Sequence, residues 1–205
     1  MEHIPSILIS VFLALGLAAV IPLNGWIPLL IAVLAAKFSF GTAIIQVNPD
    51  FVWILSNQTL AILITAAIID VIADKIPAVS TVLQTLNFVI RPSLAILLSF
   101  VLIRDPVLAG IISIITGSGA LGAQIAKFSF VGSTDVPSAG IVSLIRSSIE
   151  DVGAVMGSLL VIWLPIIMGT IVFLILIVML IRKSKVIIFL MMLVGMVAML
   201  IKLLM

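Results

Sequence analysis

The sequence predicts an all-α fold: a polytopic transmembrane helical bundle with a 3+3 inverted repeat and a C-terminal transmembrane hairpin. The first reason is composition, because 64% of the 205 residues are hydrophobic and 9% are charged, whereas soluble domains carry about 25% charged residues. The second is that apolar stretches recur at the length of about 20 residues that a helix needs to cross a bilayer. The mean hydropathy is accordingly high, at +1.52. The third is a pair of short motifs that occurs twice in the same order. We therefore expect a multi-pass protein of the cell (plasma or inner) membrane, with the lipid bilayer as its main partner.

Helix-breaking residues, chiefly proline and glycine, divide the chain into eight predicted spans. The spans cover about 4–21, 26–40, 51–76, 79–103, 106–127, 138–163, 166–181 and 186–204. The second of them is short for a full crossing. Residues 79–90 leave two interpretations open: they either begin the fourth span or form an interfacial helix that ends at Arg91 and Pro92.

The first six spans form two matching triplets. The pentapeptide AKFSF ends the second span at 36–40 and the fifth at 126–130, and IIDV at 68–71 matches IEDV at 149–152. Because three is an odd number, the second triplet would enter the membrane from the opposite side, as in the inverted repeats of many secondary transporters. A chance match in so apolar a sequence is the alternative. The expected organisation is a membrane core at 1–165, made of repeats at about 4–76 and 79–163, and a transmembrane hairpin at 166–205.

Two glycine-containing breaks interrupt apolar stretches at corresponding places of the two triplets. They are PLNGWIP at 22–28 and TGSGALG at 116–122. Such breaks expose backbone groups that can bind a ligand at a repeat interface. The alternatives are a tight turn for the first break and close helix packing through small residues for the second.

Ionisable residues inside the predicted spans form the candidate functional site. Asp70 and Asp74 are four residues apart and share one helix face, and Glu150 and Asp151 lie in the matching span of the second triplet. An ionised side chain at a helix centre costs about 2.5–3.5 kcal/mol on insertion scales, so these groups are expected to meet one another or water inside the bundle. The candidate substrate- or ion-binding residues are Lys37, Asp70, Asp74, Arg91, Lys127, Arg146, Glu150 and Asp151.

Two interpretations of this set compete. In one, ion pairs only lock the helices together, with bases drawn from Lys37, Arg91 and Lys127 on the aspartates. In the other, the set is a polar site that binds a solute or ion.

One acid is expected to remain free in the second interpretation. Arg146 precedes Glu150 by four residues, within reach of an ion pair, which leaves Asp151 as the unpaired acid. Lys75 lies at a span end and is expected to extend to the membrane interface.

The charged residues also carry a family resemblance. ADKIP at 73–77, IRPS at 90–93 and SSIEDVGAV at 147–155 resemble the D-K-I-P, R-P and S-x-x-E-D motifs of an uncharacterised prokaryotic integral membrane family, a domain of unknown function. The resemblance covers about residues 8–165, and Arg146 and the C-terminal hairpin depart from it. It implies no activity, but it implies that the charged set belongs to a shared core. Its most specific residues are Asp74, Lys75, Ile76, Pro77, Arg91, Pro92, Glu150 and Asp151.

Transport is the function that these patterns favour. The expected protein is a small carrier or channel with a charged site between inverted repeats, acting on an unknown small solute or ion. A non-catalytic assembly or scaffold subunit and a lipid-translocating protein are the alternatives. An enzyme is disfavoured, because His3 is the only histidine and cysteine does not occur, so no carboxylate–histidine metal set can form. No cofactor, metal or nucleic-acid partner is expected, and a homo-oligomer is left open.

Overall fold

The computed structural model describes residues 3–41, 45–131 and 139–182, and these residues fold as a helical bundle. No strand occurs within these ranges. Seven α-helices and one 3-10 helix follow one another in the order α1 (His3–Val20), α2 (Trp26–Phe38), the 3-10 helix (Pro49–Leu55), α3 (Asn57–Ala73), α4 (Pro77–Leu102), α5 (Pro106–Val131), α6 (Ala139–Trp163) and α7 (Pro165–Arg182).

Two stretches of the described helices are long and apolar enough to cross a membrane on their own, Val82–Leu102 of α4 and Pro106–Lys127 of α5. The number rises to four if two bent helix pairs each count as one span. The 3-10 helix and α3 meet at 66°, and α6 and α7 meet at 116°. Helices α1 and α2 are apolar but shorter. The fold is therefore an all-helical bundle with two to four candidate spans, and the eight-span arrangement stays a prediction.

Helix α1 is central to the described part of the bundle, where it packs against α4, α5, α6 and α7. Two glycines allow close approach to it. A Cβ atom on Gly16 of α1 would lie 2.7 Å from the side chain of Val161 in α6, and one on Gly169 of α7 would lie 2.6 Å from Cβ of Phe12 in α1. Helix α7, the first half of the predicted hairpin, thus packs directly on the core. The second half, at 186–204, lies outside the described residues.

The predicted span at 51–76 is broken in the structure, because Ser56 starts a new helix. Its backbone is extended, with φ −65° and ψ 153°, and its Oγ accepts a hydrogen bond from the backbone N–H of Thr59 at 3.1 Å. This is the geometry of an N-cap residue. Apolar residues on both sides of Ser56 led the sequence to predict one continuous span.

Helix α4 continues through Pro92, so an interfacial helix that ends at this point is wrong. Proline is tolerated inside transmembrane helices when neighbouring groups satisfy the backbone. Helix α5 likewise continues through TGSGALG without a break. A Cβ atom on Gly117 would lie 2.8 Å from Cγ1 of Ile96, so close packing of α5 on α4 explains this glycine.

Candidate functional site

The turn between α1 and α2 is buried and polar. Asn24 is 0% exposed, and its Oδ1 accepts hydrogen bonds from the backbone N–H groups of Trp26 and Ile27, both at 3.2 Å. These two donors belong to the first turn of α2, where N–H groups have no partner within the helix. The Nδ2 of Asn24 donates to Oδ1 of Asp151 in α6 at 3.1 Å. One asparagine thus starts a helix and connects the turn to the charged residues.

Asp151 is not the free acid that the sequence suggested. Its Oδ2 lies 2.8 Å from Nζ of Lys75, in the segment that follows α3, and Asn24 occupies its other oxygen. Lys75 also donates to the backbone oxygen of Val71 at 3.1 Å. The sequence did not predict this pairing of Lys75, whose ammonium group joins the end of α3 to α6.

Glu150 binds two bases. Its Oε1 accepts a hydrogen bond from Nε of Arg146 at 3.0 Å, which confirms the predicted pair one helical turn apart. Its Oε2 accepts a hydrogen bond from Nζ of Lys127, near the end of α5. Lys127 was expected to pair with an aspartate, but its hydrogen bond goes to this glutamate.

Arg91 is the most deeply buried base of the set, with 1% of its surface exposed. Its Nη1 donates to the backbone oxygen of Pro22 and to Oε1 of Gln124, the latter at 3.1 Å. Its Nη2 lies 4.0 Å from Oδ2 of Asp74. A Cβ atom on Gly25 would lie 3.3 Å from Cγ of Arg91, so the glycine of the turn leaves room for the arginine stem.

Asp70 and Asp74 lie at the end of α3. The backbone N–H of Asp74 donates to the backbone oxygen of Asp70 at 3.0 Å, which extends the helical hydrogen-bonding pattern one residue beyond Ala73. Asp70 is 4% exposed, and its Oδ2 has no hydrogen-bond partner among the residues that the structure describes. Asp70, rather than Asp151, is the buried acid with unused hydrogen-bonding capacity.

Lys37 is the predicted site residue that the structure does not bring to the acids. Its Nζ donates to the backbone oxygen of Leu55 at 2.7 Å and to Oδ1 of Asn57 at 2.6 Å. These partners flank the start of α3, whereas Asp70 and Asp74 lie at its end. At a rise of 1.5 Å per residue, the 17 residues of α3 separate the two places by about 25 Å.

Five of the other predicted site residues line a small cavity of about 70 Å³. We use the term polar cluster for these lining residues together with Asp70, Lys75, Asp151 and Asn24. Helices α4, α5 and α6 and the segment after α3 all contribute to the lining. The lining residues are Asp74, Ser80, Gln84, Asn87, Arg91, Gln124, Lys127, Arg146, Ser147 and Glu150.

Several polar residues of the cluster were missed in the sequence. Ser80, Gln84, Asn87 and Arg91 follow one another at spacings of four, three and four, which is the period of a single helix face. That polar stripe was a signal that could have been found. Gln124 precedes Lys127 by three residues and lies on the same face of α5, a second signal of the same kind.

Two of the buried side chains in the cavity lining have unused hydrogen-bonding atoms besides Arg91. Within the described ranges, Nδ2 of Asn87 and Oγ of Ser147 have no partner, and neither does Nε of Arg91. No three His, Cys, Asp or Glu side chains in these ranges are placed to hold a metal ion together. The cluster is thus built from ion pairs and neutral polar groups that together leave both donor and acceptor atoms available.

Comparison with known proteins gave no match among curated proteins and none among solved structures. A family model described as "Domain of unknown function (DUF4126)" matches residues 11–184. The match contains the whole polar cluster, and it extends past residue 165, where the resemblance seen in the sequence was expected to end. The shared region therefore includes α7. The chain belongs to this family of unknown function, DUF4126.

Proposed function

We propose that this protein is a multi-pass transport protein of the cell membrane, a small carrier or channel whose polar cluster binds a small solute or ion. The observation that carries the proposal is the set of buried polar atoms without a partner in the described ranges: Asp70 Oδ2, Asn87 Nδ2, Arg91 Nε and Ser147 Oγ. Buried polar groups in proteins are nearly always hydrogen-bonded, and each unsatisfied one costs about 1–3 kcal/mol. Three of these atoms belong to residues that line the cavity, so a solute bound there would lie beside those residues.

The location of the charges also supports transport. Arg91 and Lys127 belong to α4 and α5, the two helices with the composition of membrane spans. Ionisable residues within membrane spans usually face a bundle interior or an aqueous path and mark routes for substrates or ions. The cluster holds four bases and four acids among the described residues, namely Lys75, Arg91, Lys127, Arg146, Asp70, Asp74, Glu150 and Asp151.

The inverted repeat is part of this proposal. It is supported by the two lysines of the AKFSF motifs, because Lys37 contacts the start of α3 and Lys127 shares a cavity with Asp74, which follows the end of α3. The packing within the two triplets differs, since α4 lies along α5 whereas α2 packs mainly on α3 and α6. In an inverted repeat, the helix packing of the two triplets would therefore have diverged, while the triplets kept opposite orientations in the membrane.

A scaffold subunit is the second candidate, and the closed ion pairs favour it. Lys75 with Asp151, and Glu150 with Lys127 and Arg146, would fasten α3, α5 and α6 without any solute. A lipid-translocating protein is a variant of the transport proposal in which the moving group is a headgroup. A substitution of an acid outside these ion pairs separates the two proposals, because it should alter transport but leave a scaffold intact.

Asp70→Asn provides that test. Purified protein in liposomes is assayed by solute-induced swelling and by membrane currents, with a panel of small anions, cations and neutral solutes. We expect the variant to unfold at the wild-type temperature, because the buried Oδ2 that it alters has no partner in the described ranges. We expect it to change the flux, because it removes a negative charge one helical turn from Asp74, which lines the cavity.

The matched control is Asp50→Asn, the same substitution at an exposed residue of the 3-10 helix. It should leave flux unchanged. Equal flux in Asp70→Asn and wild type, or no flux of any panel solute above that of empty liposomes, would contradict transport through the cluster.

A further inference from the structure

The balance of acids and bases in the cavity lining differs from that in the whole polar cluster, and this difference indicates which ligand the cavity suits. Resting on the proposed function, we infer that the cavity binds a small free anion, which accepts hydrogen bonds from Arg91, Asn87 and Ser147. The substrate class is then an inorganic anion or a small carboxylate. Three observations lead to this inference.

The first observation is how the charges are divided. Three bases line the cavity, namely Arg91, Lys127 and Arg146, against two acids, Asp74 and Glu150. Asp151 does not line the cavity, and its oxygens are bound by Lys75 and Asn24. The lining therefore carries one excess positive charge, although acids and bases balance in the cluster as a whole.

The second observation is which atoms remain available. Asn87 and Arg91 are 3% and 1% exposed, and the unpartnered atom of each, Nδ2 and Nε, is an N–H donor. Both oxygens of Glu150 already accept hydrogen bonds from bases. Ser147 Oγ can donate as well as accept. Asp74 lines the cavity as well, and its carboxylate lies 4.0 Å from Nη2 of Arg91. Amide and guanidinium N–H groups cannot coordinate a cation, so the buried lining atoms that have no partner suit an acceptor with negative charge.

The third observation is size. The accessible volume of the cavity is about 70 Å³, enough for a few water molecules. This space accommodates an ion of a few atoms. Asp70, whose buried Oδ2 has no partner in the described ranges, does not line the cavity, so it adds no cation ligand to it.

Thermal unfolding of the full-length protein in detergent tests the inference. Tryptophan fluorescence follows unfolding, since the chain has three tryptophans. Sodium chloride, nitrate, formate, phosphate and sulfate are titrated at constant ionic strength against sodium gluconate, whose anion is larger than the other five. A ligand that binds the folded state alone raises the unfolding temperature in a saturable way, and we expect this for at least one of the anions.

Two variants connect the effect to the cavity. Asn87→Leu removes an amide donor at similar volume and should raise the apparent Kd of that anion about tenfold or more, as expected for a hydrogen bond to a charged group. Ser147→Ala should also weaken binding. Its matched control is Ser158→Ala, because Ser158 is buried on the same helix but donates to the backbone oxygen of Ala154 outside the cavity. This control should leave the Kd unchanged.

Each alternative has its own outcome. A saturable shift that follows the cation when sodium is exchanged for potassium or lithium, or no saturable shift with any of the five anions, overturns the inference. So does a shift with a short-chain phosphatidylglycerol but with no salt, which would mean that the cavity takes a lipid headgroup. Anion binding without flux in liposomes would leave the inference standing and refute transport, whereas cation flux without anion binding would do the reverse.

Discussion

Lys37 and Lys127 occupy the same position of the same pentapeptide, AKFSF, yet their surroundings differ. Lys37 donates to two neutral oxygens, the backbone oxygen of Leu55 and the side-chain oxygen of Asn57. Lys127 binds the carboxylate of Glu150 beside a cavity lined by other charges. A repeated motif therefore fixes a lysine near the end of a helix, but the partners that determine its chemistry come from other segments of the chain.

The loop that follows Lys37 along the chain is held by hydrogen bonds of a neutral side chain. Nearby along the chain, Asn48 donates from Nδ2 to the backbone oxygens of Phe100 and Ile103 at 3.1 and 3.2 Å, and its Oδ1 accepts from the backbone N–H of Asp50. These bonds hold the loop before the 3-10 helix against the end of α4. The polar cluster has more charge but leaves several atoms unpaired. We therefore propose that the end around Lys37 serves stability and that the polar cluster serves binding.

The largest expected difference between the two lysines is in stability. Lys127→Met removes a charged partner from Glu150, a mostly buried carboxylate, and should lower the free energy of unfolding by about 1.5–3 kcal/mol, the range for hydrogen bonds to charged groups. Lys37→Met is the matched control and should cost about 1 kcal/mol, because its bond to Asn57 is exposed and water replaces part of the lost interaction. Unfolding in mixed micelles with rising denaturing detergent measures both.

Binding should separate the two variants further. Lys127→Met removes one positive charge from the cavity lining and should weaken the anion-dependent rise in unfolding temperature, whereas Lys37→Met should leave it unchanged. Equal losses of stability and of anion response in the two variants would mean that the two lysines act alike. The proposed division into a stabilising end and a binding end would then be wrong.

The local part of the site could be predicted from the sequence and the distant part could not. Arg146 and Glu150 lie one turn apart on a helix, so their pairing follows from helical geometry alone. Lys75 and Asp151 are 76 positions apart, and Asn24 and Asp151 are 127 apart. Such contacts depend on how α2, α3 and α6 pack, which no short-range rule specifies.

The same limit applies to the fold. Composition and apolar length predicted an all-helical membrane protein. The described residues are all-helical, without strands, and two of the helices have the length and composition of spans. Bends are set by single residues and by packing. Ser56 ends one helical segment and caps the next, whereas Pro92 lies in an unbroken helix, although proline is the stronger helix breaker in isolation.

A smaller effect is expected at the pair formed by Lys75 and Asp151. Asp151→Asn should lower the free energy of unfolding by about 1 kcal/mol, near the upper value for exposed pairs, because the side chain of Lys75 is 30% exposed and water replaces part of the lost interaction. The double variant with Lys75→Gln should recover most of this loss, since neither member is then left as an unpaired charge. The same micelle unfolding assay completes the double-mutant cycle.

This cycle also bears on the contrast within the cluster. If Asp151 serves only to hold α6 against α3, the double variant should retain flux and anion binding as well as stability. A double variant that is stable but inactive would assign a binding role to this pair and move the site away from the cavity.

The smallest perturbation tests the orientation of the two AKFSF segments. Because the natural chain has no cysteine, Ser39→Cys and Ser129→Cys each introduce a single thiol, and neither should change stability measurably. Lys37 lies at the start of α3 and Lys127 near its end, about 25 Å apart along that helix, so we expect the two thiols to face opposite sides of the membrane. A membrane-impermeant maleimide added to intact cells should label one variant, and the other only after permeabilisation. Labelling of both from the same side would refute the inverted repeat, and the difference between the two lysines would then reflect depth within the bundle rather than opposite orientation.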